Sequence, residues 1–151
     1  MYRLLFALLC LFPVSTLAGG LVGVAYVDNL VGPNLEWAFT STSVYVVPGV
    51  RFSQKSSGAK KDDVRFVGGA RMSIDRGRMD QSGFYVGFIA GDFSNSRHYK
   101  RNGYGGELGY HLVKTSTRWT LGGALVVRDS DAKRNLNNEP YFTFTASVSI
   151  R

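Results

Sequence analysis

Ser96, His98 and Glu107 lie in one short segment, and a hydroxyl, an imidazole and a carboxylate are the parts of a nucleophilic triad. The spacing argues against that use. Ser96-Arg97-His98 falls in a charged connection, while Glu107 belongs to the polar face of the patterned stretch that follows. We read His98 as a loop residue and expect no catalytic residue in the chain. Two histidines without clustered carboxylates make no recognisable metal site, and no cofactor is expected.

A second set of residues is more informative. Glu36, Arg51, Arg65, Arg71, Glu107, His111 and Arg118 each occupy a polar position in a stretch where polar and apolar residues alternate. A charge enclosed in a protein is tolerable only if it is paired and hydrogen-bonded. If these residues share one interior, Glu36 and Glu107 must be salt-bridged to two or more of the arginines. Whether they share one depends on the elements that carry them.

Those elements read as strands. In the closing segment Phe142, Phe144, Ala146, Val148 and Ile150 alternate with Tyr141, Thr143, Thr145, Ser147, Ser149 and Arg151. A strand turns successive side chains to opposite faces, so this one has an oily face and a wet face. Its length approaches the ~9–11 residues with which a barrel strand crosses a bilayer. Seven earlier stretches repeat the pattern, at about 20–27, 34–39, 43–53, 64–73, 82–93, 103–113 and 117–128. Tight links at 40–42 and 114–116 and a moderate one at 74–81 alternate with longer, charged links at 54–63, 94–102 and 129–140. The link at 28–33 belongs to the long set by position. Short turns at one rim and long loops at the other are what an outer-membrane barrel shows. Pro48 inside a strand removes a ladder donor, and a bulge is expected there. The 18 glycines, many within strands, suit a small, sharply curved barrel.

Residues 1–18 read as a signal peptide. Arg3 precedes the apolar run Leu4–Phe12, Pro13 breaks it, and Thr16-Leu17-Ala18 offers small residues where a peptidase cuts. The run is too short to span a membrane as a helix. Cys10 is the only cysteine and lies in this leader, so disulfides and thiolate metal sites are excluded from 19–151. That remainder suits one domain. The whole chain carries a net charge of +7.

Alternation does not by itself say which face is outside, and a soluble lipocalin-like barrel would reverse the membrane sense. Three features favour apolar-out. Trp37, Phe39 and Trp119 cluster toward the short turns, and Phe52, Phe66, Tyr104 and Phe142 toward the long loops, as two aromatic girdles would. The opposite face is rich in Gly, Ala, Ser and Thr. The apolar stripe is nearly free of charge. With eight strands the enclosed side chains just fill the interior, so the charged set reads as a rigid polar plug. A Glu–Arg pair that opens to pass ions is the alternative, and the excess of arginine would favour anions. His111 reads as a hydrogen-bonded filler.

Gly83-Phe84-Tyr85-Val86-Gly87-Phe88, Gly103-Tyr104-Gly105-Gly106-Glu107-Leu108-Gly109-Tyr110 and Leu35-Glu36-Trp37-Ala38-Phe39 before a short turn complete a resemblance. The chain resembles the small eight-stranded outer-membrane β-barrel proteins, the group that includes the OmpA transmembrane domain, OmpX, OmpW-like and opacity-type barrels. The resemblance covers 19–151 and implies an eight-stranded antiparallel up-and-down transmembrane β-barrel, monomeric, in a Gram-negative outer membrane. It also implies passage through the barrel-assembly machinery. One departure is that such barrels usually end in a lipid-facing aromatic, whereas here Ile150 is followed by Arg151. Some barrels of this kind modify lipid A, but the His-x-Ser motif of the deacylases is absent near the end of the chain, and the palmitoyltransferase type is not matched.

The long links are basic. Lys55, Lys60 and Lys61 lie in one, Arg97, Lys100 and Arg101 in the next, and Lys133 and Arg134 in the last. Arg and Lys can make charge-assisted bonds to phosphate. We expect these loops to contact lipopolysaccharide or another anionic surface polymer, and the leader disfavours nucleic acid. The reading is therefore a barrel with a structural or surface-interaction role, with a narrow pore or small-solute conduit as the alternative.

Overall fold

The computed structural model describes residues 19–27, 30–51, 64–75, 77–93, 102–129 and 136–150, with side chains left aside at 51, 128–129 and 136–139. Eight strands form: β1 (Gly19–Val27), β2 (Leu30–Ala38), β3 (Thr42–Arg51), β4 (Arg65–Ser73), β5 (Gly83–Asp92), β6 (Asn102–Lys114), β7 (Thr117–Asp129) and β8 (Leu136–Ile150). Each pairs antiparallel with its chain neighbours, and β1 closes on β8. The fold is a closed, all-β, up-and-down barrel.

The registers fix its shape. From Lys114 on β6, successive ladder partners are Thr117, Val148, Val22, Leu35, Val46, Gly68 and Ala90, and the next partner is Tyr104, again on β6. One circuit thus climbs from position 114 to position 104, a stagger of ten residues. At the usual rise and strand spacing, that stagger across eight strands tilts them by about 40° from the axis.

The faces divide as alternation predicts, with the apolar side out. Leu121 and Val148 are 54% and 53% exposed, while Glu107 and Arg65 are 3% and 7% exposed. A soluble barrel would have these reversed. Inside, side chains stack in layers. Val47, Val67, Ile89, Phe93, Val126 and Tyr141 are part of an apolar plug toward the long-loop end. Charged and hydroxyl groups fill the middle and lower levels. Leu21, Ala38 and Met79 form a second apolar cluster at the short-turn end.

Three local expectations are corrected. β2 starts at Leu30, inside the stretch read as a loop, and β8 starts at Leu136 rather than 141. The Pro48 bulge does not form. The β2–β3 register runs through Leu30↔Arg51 and Val31↔Val50 and resumes at Leu35↔Val46 without a shift. In that register Pro33 stands opposite Pro48, and neither has an N–H to give. The seam loses rungs there instead of gaining a residue, while each proline keeps its place against its other neighbour, Val24 or Phe66.

The link between β4 and β5 does more than connect. Asp75 Oδ2 accepts the Phe84 N–H at 3.0 Å, and the Met79 N–H donates to the Thr40 carbonyl at 2.8 Å. This folds the turn back under the barrel, and Met79 is 2% exposed. On its outer side Arg78 clasps Asp80, and that hydrogen bond holds the Asp80 carboxyl below the usual carboxylate range.

Candidate functional site: the charged lumen

The site is built around Glu107 on β6. Arg71 on β4 grips it with two parallel bonds, Nε to Oε2 at 3.1 Å and Nη2 to Oε1 at 3.0 Å. Tyr45 on β3 donates to Oε2 at 3.1 Å, and Tyr85 on β5 donates to Oε1 at 2.8 Å. Thr143 on β8 donates to Oε1 at 2.7 Å. One carboxylate therefore accepts five hydrogen bonds from four strands. The Arg71 guanidinium also lies 4.0 Å from the Tyr45 ring centre and 5.2 Å from that of Tyr85, a cation enclosed between two aromatic faces. Bidentate, charge-assisted bonds of this kind are among the strong ones.

Glu36 on β2 is the second acidic centre. It pairs with Arg118 of β7 and faces Arg71 Nη1 at 3.8 Å, so Arg71 bridges the two carboxylates. Arg118 Nη1 also donates to the Met79 carbonyl at 3.3 Å, tying the turn below to the network above. Arg65 stands apart. It pairs with Asp92 near the other end, with Nη1 3.1 Å from each oxygen.

Glycine makes these reaches possible. Arg71 and Glu107 are not on adjacent strands. Both are ladder partners of Gly87, which lies between them on β5. A Cβ at Gly87 would sit 2.8 Å from the Ala70 carbonyl oxygen, 3.3 Å from Arg71 Cγ and 3.4 Å from Glu107 Oε2. The same device recurs at Gly23, where Asn34 of β2 reaches over β1 to Ser147 of β8 at 3.0 Å. Gly109 and Gly122 separate Tyr85 from Thr143 in one continuous row. We predict that Gly87→Val destabilises the barrel by about 1–3 kcal/mol through overpacking, measured by urea unfolding. An unchanged midpoint would remove Gly87 from this role.

Glu36, Arg71, Glu107 and Arg118 thus meet in one network, while Arg65 joins a separate pair. His111 is fully buried and packs against Tyr85, ring centres 6.0 Å apart, outside the ion network. The Arg51 side chain and the basic residues Lys55, Lys60, Lys61, Arg97, Lys100, Arg101, Lys133 and Arg134 lie outside the described residues, as do Ser96, His98, Phe52 and the leader. Sequence reasoning missed four participants. Tyr45 and Tyr85 share the polar parity of their strands, and nothing in the sequence gives either a role. Thr143 was a generic polar position. Asp92 has outward parity, yet it is 8% exposed and pairs with Arg65, directly after Gly91, whose φ of +157° is one that side-chain-bearing residues rarely adopt. The excess of arginine expected in the lumen is not found among the described side chains, where Arg65, Arg71 and Arg118 are matched by Asp92, Glu107 and Glu36.

In comparisons with protein-family models, curated proteins and solved structures, nothing matches this chain. Among the described residues no helix is long and apolar enough to cross a membrane, which says nothing of a barrel. Nor do any three His, Cys, Asp or Glu residues among them group as a metal site. What the arrangement does chemically is neutralise and brace. Each described lumen charge has an opposite partner within the barrel.

Proposed function

We propose that the chain is an integral outer-membrane β-barrel of a Gram-negative bacterium, monomeric and non-conducting, with a structural or surface-interaction role. In this reading residues 1–18 are a leader removed on export, and the basic loops meet lipopolysaccharide or another anionic ligand. One observation carries the proposal: among the described residues the outward surface between the two rims is apolar and uncharged on all eight strands, while the charges of the strands are enclosed. On β6 the outward residues from Tyr104 to Leu112 are bracketed by Asn102 and Lys114. Those brackets are twelve positions apart, about 30 Å along the axis at the tilt given above. That slightly exceeds the ~25 Å apolar band of such barrels. Aromatic pairs populate both ends of the belt, Phe84 with Tyr110 below and Phe88 with Tyr104 above.

The conduit reading is disfavoured by the lumen, which is filled by an apolar cluster at each end with paired charges between. Fractionation tests the proposal. The protein should stay with the membrane pellet through carbonate and urea washes, leave it only with detergent, and migrate differently on a gel before and after boiling. Release by washing alone would end the membrane reading. In planar bilayers it should give no regular conductance steps, and reproducible steps would favour the conduit.

A further inference from the structure

We propose that the lower lumen, between the Arg71–Glu107 pair and the short turns, is a hydrated blind pocket whose stopper is Met79. The observation is a set of buried polar atoms with no hydrogen-bond partner: Ser73 Oγ, Thr145 Oγ1, both ring nitrogens of His111, and Arg118 Nε. All four side chains are more than nine-tenths buried. The Gln81 backbone stands beside the His111 ring and can serve only one of its two nitrogens.

Their positions place them together. Ser73 is one inward position below Arg71 on β4. His111 is two inward positions below Glu107 on β6. Thr145 follows Thr143 on β8, and Arg118 begins the inward row of β7. Ser73, His111 and Arg118 open toward one level of the interior, and Thr145, reached from His111 by two ladder steps through Thr120, lies higher, at the upper edge of that space beside the ion pair. Buried polar groups left unsatisfied are costly, and natural interiors satisfy them with ordered water that finds two to four polar partners. The chemistry here selects water. Arg71, Arg118, Glu36 and Glu107 balance one another, so an added ion would be uncompensated. Hydroxyl and imidazole groups both donate and accept, which suits a small neutral molecule able to do the same.

The pocket is closed on both sides by different means. Above it, the ion pair is backed by the apolar plug that includes Val47, Ile89 and Phe93. Below it, closure rests on the turn at 74–82. That turn is held by the Met79 N–H on Thr40 and by Arg118 on the Met79 carbonyl. Leu21 and Ala38 are the only apolar partners in that lower cluster of described residues. One side chain on a short tethered turn is far easier to displace than the upper plug. Water exchange therefore runs through the short-turn mouth alone.

Cysteine labelling tests this in a Cys10→Ser background. Thr145→Cys reports on the pocket and Val47→Cys on the upper plug, with a small methanethiosulfonate as the probe on detergent-folded protein. Thr145→Cys should react slowly with Met79 in place and about tenfold faster with Met79→Gly or Met79→Ser, as local opening governs access. Val47→Cys should stay unreactive throughout, with gel migration confirming folded barrels. Equal Thr145→Cys rates with and without Met79 would overturn the stopper. Val47→Cys reacting as fast as Thr145→Cys would overturn the blind end. An experimental density map showing a dry lower lumen would overturn the proposal whether or not the Met79 variants fold.

Discussion

Glu107→Ala lowers the unfolding free energy by about 3–5 kcal/mol, the cost of stranding one member of a buried ion pair. The magnitude follows from what the substitution leaves behind. Arg71 keeps its charge, is almost wholly enclosed, and loses both strong bonds; Glu36 at 3.8 Å is a distant substitute. Tyr45, Tyr85 and Thr143 lose their acceptor at the same time. Urea titration of the barrel in lipid vesicles, with intrinsic tryptophan fluorescence, measures the change. Thr143→Val provides scale, since it removes one of five bonds and should cost about 1 kcal/mol. Arg71→Met should fall in the same range as Glu107→Ala, and the double variant should cost clearly less than the two singles summed. A loss under about 1 kcal/mol for Glu107→Ala would mean that the carboxylate is not the brace the geometry makes it.

Leu121→Arg should cost about 2–4 kcal/mol when the barrel is embedded in a bilayer. Leu121 faces outward on β7 between Tyr110 and Phe144, in the middle of the uncharged belt. The same substitution on a water-exposed wall would change stability by no more than about 0.5 kcal/mol. The comparison therefore separates a lipid-facing wall from a wet one without any assumption about biological role. Val50→Arg, nearer the long-loop rim, should cost less because the penalty falls toward the interface. Equal, negligible costs at both positions would remove the membrane proposal even if the protein pelleted with membranes.

The strands were legible because a two-residue period leaves a mark that needs no tertiary information, as the run from Tyr141 to Ile150 demonstrates. Parity alone also assigned Glu36, Arg71, Glu107 and Arg118 to one interior. Their pairing was not legible, because it depends on register. That Gly87 lies between Arg71 and Glu107 follows from ladders set by eight strands together. The start of β2 was misjudged because Gly32-Pro33 reads locally as a turn, whereas opposite Pro48 the missing donors are shared by a strand that continues. Met79 escaped notice for a different reason. A single apolar residue flanked by charged neighbours carries no periodic signal, and only the fold-back of the turn shows what it covers.

The bonds to Glu107 also constrain how the molecule can be made. Tyr45 comes from the third strand and Thr143 from the last, and they approach the carboxylate from opposite sides only once the ribbon has curled. A half-finished, open sheet must keep Arg71 and Glu107 wet, since it has no shelter to offer them. Dehydration of the centre and joining of the first and last strands are thus one event. An assembly factor that held the ribbon ajar would be guarding an ionised midline as much as a greasy exterior.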